Sequence, residues 1–189
     1  MRGSDPDAAV YYLGRLLEAG DLEGIDWGTD PGRVDYGKVY ESRFLVLRKA
    51  FDRGFARCEQ QVRQFAEENS RWLPNYALYM AVKNHFGMVS WLEWPDEAIR
   101  LRKPEALERY SRELKEDVDF YIYLQFLFFK QWDALRDHIH SLGLKIIGDL
   151  PIYVALDSAD VWAEPELFQL DESRNPEVVA GCPPDAFTA

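Results

Sequence analysis

The fold of this chain is decided by the stretch Ile146–Phe168, which reads IIGDLPIYVALDSADVWAEPELF. A short apolar run rich in β-branched residues leads to an acid, Asp149, and a proline turn follows at Pro151. The slightly wider run Leu144–Asp149 comes directly after a Ser-Leu-Gly turn, and this pattern predicts a buried strand of a parallel sheet. A helix, a tight turn and a buried strand make half of a β/α unit.

Most of the remaining sequence is typical of long helices. Apolar side chains recur at steps of three and four from Tyr40 to Phe65, with charged residues outside the stripe, which predicts one long amphipathic helix. Asp35 stands just before this helix and is predicted to cap its first turn by accepting from free backbone N–H groups. A shorter helix, Ala8–Ala19, is predicted near the start of the chain.

Two further helices are predicted downstream. The first is Tyr76–His85. The strongest periodic signal covers residues 114–139, and Gly143 follows it as a C-terminal stop. We therefore expect a mostly α chain with minor β, in which Leu144–Asp149 is the strand.

Composition and charge limit the classes of partner. The chain has 189 residues, 47% of them hydrophobic, which is enough for one ordinary core. A net charge of −11 disfavours nucleic acid and anionic membrane, because both are bound by basic surfaces. Apolar runs such as Phe126–Phe129 are too short to span a bilayer. Cys58 and Cys182 form no pattern, as expected for idle thiols in a reducing cytosol, so we expect a cytoplasmic protein.

Asp149 is the main candidate for a functional side chain. An acid that ends a buried strand is costly unless it meets water, a ligand or hydrogen-bond donors. The carboxyl ends of parallel strands are also where α/β proteins build their sites. Asp149 is therefore either a binding residue or a structural acid that accepts hydrogen bonds from the following loop, and the pattern leaves both open.

The loop after this acid has simpler interpretations. Asp157, Ser158 and Asp160 are of the residue types that cap nearby backbone N–H groups. Trp162 is of a residue type that can stack on a sugar ring, but its apolar neighbours in the sequence predict a core residue.

No pattern predicts a metal ion or an organic cofactor. His138 and His140 lie two positions apart on a predicted helix, so they do not share a face. The sequence contains no cysteine pair, glycine-rich phosphate loop or serine nucleophile elbow.

Several longer strings resemble one known family. The chain closely resembles the 4-α-glucanotransferases, known as amylomaltases or disproportionating enzymes, in GDLPIYVALDSADVWAEPELFQLD and in NPEVVAGCPPDAF after it. The similarity continues upstream in WLPNYALYMAVKN, WLEWP and LQFLFFKQWDALRDHIHSLGLKIIGDLP, and it includes IDWGTDPGRVDYGKVYESRFLVLRKAF. It covers most of the chain and is weakest before about Ile25.

This resemblance implies an α-amylase-like (β/α)₈ barrel enzyme, of which the chain would be an internal fragment. Residues 1–34 would form an N-terminal helix and loop, and residues 35–142 the family's helical subdomain with one barrel helix. Residues 143–189 would supply an early barrel strand and a cleft-loop segment. A complete barrel takes about 250 residues, and only one barrel strand is predicted here.

The resemblance also implies an activity. The family transfers a segment of α-1,4-glucan to a glucose or maltooligosaccharide acceptor, with retention, through a covalent intermediate on a carboxylate. Asp149 would bind the donor sugar at the rim of the cleft. Asp185, within GCPPDAF, would bind substrate at the start of the cleft loop. Cys182 stands where the family usually has a β-branched residue.

The family's catalytic acids resemble nothing in this chain, so no catalytic residue is assigned. They are expected beyond Ala189, and the chain alone is expected to be inactive. Arg136-Asp137-His138 lacks the spacer of the family's Arg-x-Asp-His pattern and lies inside the most periodic helix. The alternative function is a non-catalytic helical module that binds glucan or another partner. An incomplete barrel is also expected to leave apolar surface uncovered and so to self-associate.

Overall fold

A computed structural model describes residues 21–30, 32–151, 153–178 and 181. Its helices are, in order, α1 (Tyr36–Glu68), α2 (Leu73–His85), α3 (Glu97–Arg100), α4 (Pro104–Glu113), α5 (Lys115–Ser141) and α6 (Ala159–Ala163). Single 3-10 turns lie at Trp91–Glu93 and Pro165–Leu167. Within these ranges, the β pairing consists of an isolated antiparallel bridge between Leu170 and Pro176. The predicted helix Ala8–Ala19 lies outside the described residues.

The chain divides into two compact units. One contains residues 78–115 and the described residues from 149 onward, and the other contains the described residues up to 77 together with residues 116–148. Among the helices described, none has the length and apolarity needed to cross a membrane. The mostly α fold class is confirmed, whereas the domain boundaries at residues 34 and 142 remain predictions.

The unit built around α1 and α5 is held by aromatic and ionic contacts. The ring of Phe51 in α1 lies 5.5 Å from that of Phe120 and 5.6 Å from that of Tyr123, measured between centroids. Arg63 of α1 donates to both carboxylate oxygens of Asp119 in α5, at 2.7 and 3.2 Å. Both long helices therefore form where the apolar periodicity predicts them, although α1 is kinked at Cys58. α1 buries several residues of its predicted stripe, whereas α5 buries Tyr121 of its stripe and leaves Trp132 and Leu135 exposed.

The ends of these helices follow the sequence signals. Asp35 is the N-cap of α1, and its side chain accepts a hydrogen bond from the backbone N–H of Lys38 at 3.2 Å. Gly143 ends α5 with a φ of 76°, a conformation that residues with a Cβ rarely adopt. The N–H of Leu144 then donates back to the carbonyl of Ile139 at 3.3 Å. The predicted cap and the predicted stop are both confirmed.

The predicted strand Leu144–Asp149 is absent from the structure. Residues 144–151 run without helix, turn, bend or strand pairing, and all of them are exposed. Ile147 is 95% exposed. A strand is stable when a neighbour satisfies its backbone N–H and C=O groups, and the described residues place no such neighbour beside this run. The prediction of a buried strand is therefore wrong here, and Asp149 is not the tip of one.

Candidate functional site

Of the two acids predicted to bind substrate, the structure describes one. Asp149 lies on the exposed, extended run just described, where its carboxylate faces solvent. Asp185 lies outside the described residues. Their role in binding stays a prediction. The loop residues after Asp149 form a well-organised polar cluster in the unit that contains residues 78–115.

Asp157 is the centre of that cluster. Its Oδ1 accepts hydrogen bonds from the hydroxyl of Tyr79 at 2.7 Å and from the backbone N–H of Trp91 at 3.2 Å. Its other oxygen forms an ion pair with Lys83. The indole N–H of Trp91 also donates to the carbonyl of Leu156 at 2.8 Å. Leu156 and Asp157 thus make four polar contacts with α2 and with the 3-10 turn at Trp91–Glu93.

The surroundings of this carboxylate favour its charged form. Partial burial raises the pKa of Asp157, but the hydrogen bonds from Lys83, Tyr79 and the N–H of Trp91 outweigh burial and lower the pKa below its ordinary value. Burial raises the pKa of Tyr79, and its bond to Asp157 raises it further, because ionised Tyr79 would face a carboxylate. The pair therefore consists of a neutral phenol donating to an ionised acid.

The next residues start a short helix. Ser158 is the N-cap of α6, and its hydroxyl accepts from the backbone N–H of Val161 at 3.3 Å, so its predicted capping role is confirmed. Asp160 lies in the first turn of α6, where a negative charge is favourable. Asp157 does cap a backbone N–H, but the donor is Trp91, 66 residues away, and not part of the local loop.

An aromatic cluster lies under this polar group. The rings of Tyr79, Trp94 and Trp162 stand 5.7 to 5.8 Å apart between centroids. The indole N–H of Trp162 donates to the carbonyl of Ile99 at 3.1 Å, and the side chain is fully buried. Trp162 is therefore a core residue, as predicted, and it is not available as a sugar platform.

A pocket of about 490 Å³ lies in the other unit, at the start of α1. Charged and small side chains line it, together with one tyrosine: Gly28, Thr29, Asp30, Arg33, Val34, Asp35, Tyr36 and Lys38. Lys38 forms an ion pair with Asp26 at 2.7 Å, and the hydrogen bond from Lys38 lowers the pKa of this exposed acid. Tyr36 is 73% exposed. The pocket thus combines fixed charges with an accessible aromatic ring.

One turn further along α1, a second tyrosine is exposed beside an arginine. The guanidinium of Arg43 lies 4.6 Å from the ring centroid of Tyr40 and 4.9 Å from that of Phe44. Such stacking holds an arginine and an aromatic ring together at the surface. This platform and the pocket were not predicted from the sequence, where Tyr40 was assigned to the apolar stripe.

The partners of Asp157 were missed as well. Tyr79 and Lys83 are four residues apart, so the sequence does indicate that they share a face of α2. Nothing in the sequence indicates that this face receives an acid about seventy-five residues downstream. No group of three or more His, Cys, Asp or Glu side chains suited to a metal ion occurs among the described residues.

Comparison with known proteins identifies the family. The family model described as 4-alpha-glucanotransferase matches residues 9–189. The chain belongs to this family. The 4-alpha-glucanotransferase of Streptococcus pneumoniae serotype 4 is 44% identical over 174 residues, and that of Thermus thermophilus is 45% identical over 178 residues. Each alignment covers 92% of this chain.

A solved structure agrees with the fold. It is described as amylomaltase from Streptococcus agalactiae in complex with acarbose, and it matches with a TM-score of 0.86 and 38% identity. The match covers 98% of this chain and 37% of the amylomaltase chain. The two curated relatives are likewise covered over 34% and 35% of their lengths. The chain thus spans about a third of the length of the relatives it matches.

Proposed function

We propose that this chain supplies part of a 4-α-glucanotransferase. The observation that carries the proposal is the family match over residues 9–189, supported by the TM-score of 0.86 against an amylomaltase. The reaction is retaining transfer of an α-1,4-glucan segment. A carboxylate attacks the anomeric carbon and a second carboxyl group protonates the leaving oxygen, after which an acceptor hydroxyl displaces the enzyme carboxylate and returns the proton.

In this proposal the chain contributes binding and not acid–base chemistry. Leu144–Asp149 would become a barrel strand when further strands of the enzyme lie beside it, and Asp149 would then face the donor sugar at the rim. Asp185 would contact substrate from the cleft loop. The Asp157 cluster supports this arrangement because it fixes Leu156 and Asp157, which end the loop that Asp149 begins.

The activity is tested with maltotriose. We expect this chain alone to leave maltotriose unchanged, and the polypeptide read from the complete coding sequence to convert it into glucose and longer oligomers. Activity of the isolated chain would contradict the assignment of the catalytic acids to another part of the enzyme. Absence of activity from the complete polypeptide would contradict the proposed function itself.

Binding by Asp149 is tested separately by calorimetric titration of the complete polypeptide with maltoheptaose. Asp149→Ala should weaken binding by about tenfold or more, because a charge-assisted hydrogen bond to a sugar hydroxyl is lost. Asp160→Ala is the matched control, since it removes an exposed acid eleven residues away. Equal affinity of the Asp149→Ala variant and the wild type would rule out the assigned role.

A second candidate function is glucan binding without catalysis. The pocket at the start of α1 favours it, because it offers the exposed Tyr36 next to charged hydrogen-bonding groups, and Tyr40 is exposed one turn further on. Flat aromatic rings with nearby polar groups suit sugar rings, which have apolar faces and hydroxyl edges. Titration of this chain with maltoheptaose distinguishes the candidates: loss of binding in Tyr36→Ala but not in Asp149→Ala favours the module.

Two further properties belong to the proposal. We expect the protein to act in the cytoplasm, in line with its acidic composition and unpatterned cysteines. We also expect this chain to self-associate, since large apolar side chains are exposed along its extended run and near the end of α5: Trp132, Leu135, Leu142, Leu144, Ile146, Ile147 and Leu150.

A further inference from the structure

The loop after Asp149 joins the core of its unit at Leu156 and Asp157, which we call the loop anchor. Among the described residues, these two make the first hydrogen bonds after Asp149 that hold the chain to another element. Seven residues, 150–156, separate the two acids along the chain. The structure therefore fixes the far end of the loop within the same unit that contains Asp149.

Two buried groups of the core find their polar partners at the loop anchor. Trp91 is 1% exposed, and its backbone N–H and its indole N–H donate to Asp157 at 3.2 Å and to the carbonyl of Leu156 at 2.8 Å. The side chain of Lys83 is only 12% exposed, and an ammonium with so little access to water requires a counter-charge, which Asp157 provides. The core and the loop end thus hold each other in place.

Another acid of this unit has the same kinds of partner but no link to the loop. Asp96 accepts from the hydroxyl of Tyr110 at 3.1 Å and from the backbone N–H of Ala98 at 2.9 Å, and it forms an ion pair with Arg109. These partners lie no more than 14 residues away, on α3 and α4. Asp157 instead joins its segment to residues at least 66 positions upstream. The two acids are therefore alike in chemistry and differ in what they fix.

Loss of the negative charge at position 157 would loosen the loop anchor. In Asp157→Asn, the amide oxygen can still accept from Tyr79 and from the N–H of Trp91, but the charge that pairs with Lys83 is gone. The ammonium would then have to turn toward water, because a cation with little exposure and no counter-charge is strongly unfavourable. The substitution keeps the shape of the side chain, so its effect comes from the charge.

Helix α6 limits how much of the chain this change releases. Val161 and Trp162 are each 1% exposed, so the core still holds the helix. The two anchor residues would join the free loop, and their backbone freedom would have to be lost again when the loop is ordered around a sugar at Asp149. The expected effect on sugar binding is therefore real but smaller than that of removing Asp149 itself.

We propose that Asp157 is a positioning residue for the donor sugar, which it affects by holding the loop that places Asp149. This inference rests on the proposed function, in which Asp149 binds the sugar at the rim of the cleft. Asp157 does not itself contact the sugar, since its carboxylate oxygens are engaged by Tyr79, Trp91 and Lys83.

The proposal is tested by calorimetric titration of the complete polypeptide with maltoheptaose. Asp157→Asn should weaken binding about fivefold, within the range of coupling found between residues of one network. Asp96→Asn is the matched control and should leave the affinity within about twofold, because it disturbs a similar network that does not reach the loop. An unchanged affinity in Asp157→Asn, or an equal loss in Asp96→Asn, would overturn the positioning role.

The ion pair is tested from its other side with Lys83. Lys83→Met removes the ammonium and should weaken binding to a similar extent, whereas Lys83→Arg keeps a positive charge and should bind within about twofold of the wild type. Equal affinities of these two variants would show that the charge at this position does not act on the sugar site.

A double-mutant cycle shows whether Asp157 acts through Asp149. In an Asp149→Ala background, Asp157→Asn should have no further effect on affinity, because the group that it positions is already absent. A further fivefold loss would contradict the proposal. If Asp149→Ala weakens binding and Asp157→Asn does not, the positioning role alone fails. If Asp149→Ala has no effect, the proposed binding role of Asp149 fails and the positioning role fails with it.

Kinetics with maltotriose give an independent readout. If Asp149 binds the donor equally in the ground state and in the transition state, Asp157→Asn should raise KM with kcat nearly unchanged. A variant that is merely less stable would lose active enzyme, which lowers the apparent kcat and leaves KM unaltered. That second pattern would refute the positioning role.

Discussion

The Asp157 carboxylate accepts three hydrogen bonds from two other elements, so its negative charge contributes to the stability of the folded unit. We expect Asp157→Asn to lower the free energy of unfolding by about 1–2 kcal/mol, a figure reduced because the side chain is 39% exposed. Urea denaturation measures this. Asp160→Asn removes a nearby exposed acid and should change stability by less than about 0.5 kcal/mol. Equal effects of the two variants would show that the cluster is not stabilising.

The same residue predicts a pH dependence. The pKa of Asp157 in the folded chain is lowered below its ordinary value of 3.8, so the unfolded chain binds its proton first as the pH falls. The stability it contributes is therefore complete above its unfolded pKa and is lost as the pH falls through the folded pKa. Between pH 5 and pH 2, the wild type should lose more stability than Asp157→Asn. Parallel pH profiles in urea titrations would contradict this.

Two buried tyrosines provide a matched pair of substitutions. The hydroxyl of Tyr79 donates to Asp157 at 2.7 Å, whereas the buried hydroxyl of Tyr123 has no hydrogen-bond partner among the described residues. Tyr79→Phe should therefore destabilise by about 1–2 kcal/mol, while Tyr123→Phe should be neutral or stabilising, since it removes a buried polar atom that gains no bond. Thermal denaturation of both variants tests the contrast. A destabilising Tyr123→Phe would show that its hydroxyl is bonded.

At the level of elements, a helix is easier to predict from its own sequence than a strand is. A helix satisfies its own backbone, so the stripe of 114–139 and the stop at Gly143 were enough to predict α5 correctly. A strand forms its backbone hydrogen bonds with neighbouring strands, and the described residues place no such strand beside Leu144–Asp149. The apolar pattern correctly indicates a run that needs to be covered. It does not contain the partner that covers it.

The stop of α5 can be tested with two glycines. Gly143 has a φ of 76°, and a Cβ added there would meet no atom within 4 Å, so the cost of Gly143→Ala is conformational alone. We expect a loss of about 1 kcal/mol. Gly148 is equally uncrowded but does not have a positive φ, so Gly148→Ala should be neutral or stabilising by a few tenths of a kcal/mol. Denaturation at low chain concentration, where self-association is absent, measures both. Equal values would refute the account of the stop.

For the molecule as a whole, the family was predictable from the long sequence strings that resemble it, whereas the buried strand expected to carry Asp149 to the edge of a cleft is absent from the described residues. Membership follows from the match over residues 9–189, and the backbone agreement with an amylomaltase supports it. The Asp157 cluster escaped prediction because its partners are brought together by tertiary packing and not by spacing.

The difference between a helical and an extended backbone predicts which of two exposed leucines is cut first. Leu45 in α1 and Leu144 are similarly exposed, at 64% and 59%, but the backbone of Leu45 is held in a helix. A protease must bind an extended backbone, so thermolysin should cleave between residues 144 and 154 well before it cleaves at Leu45. Mass spectrometry of early products shows the order. Earlier cleavage at Leu45 would mean that α1 opens more readily than the run, which the contacts between Phe51 and α5 argue against.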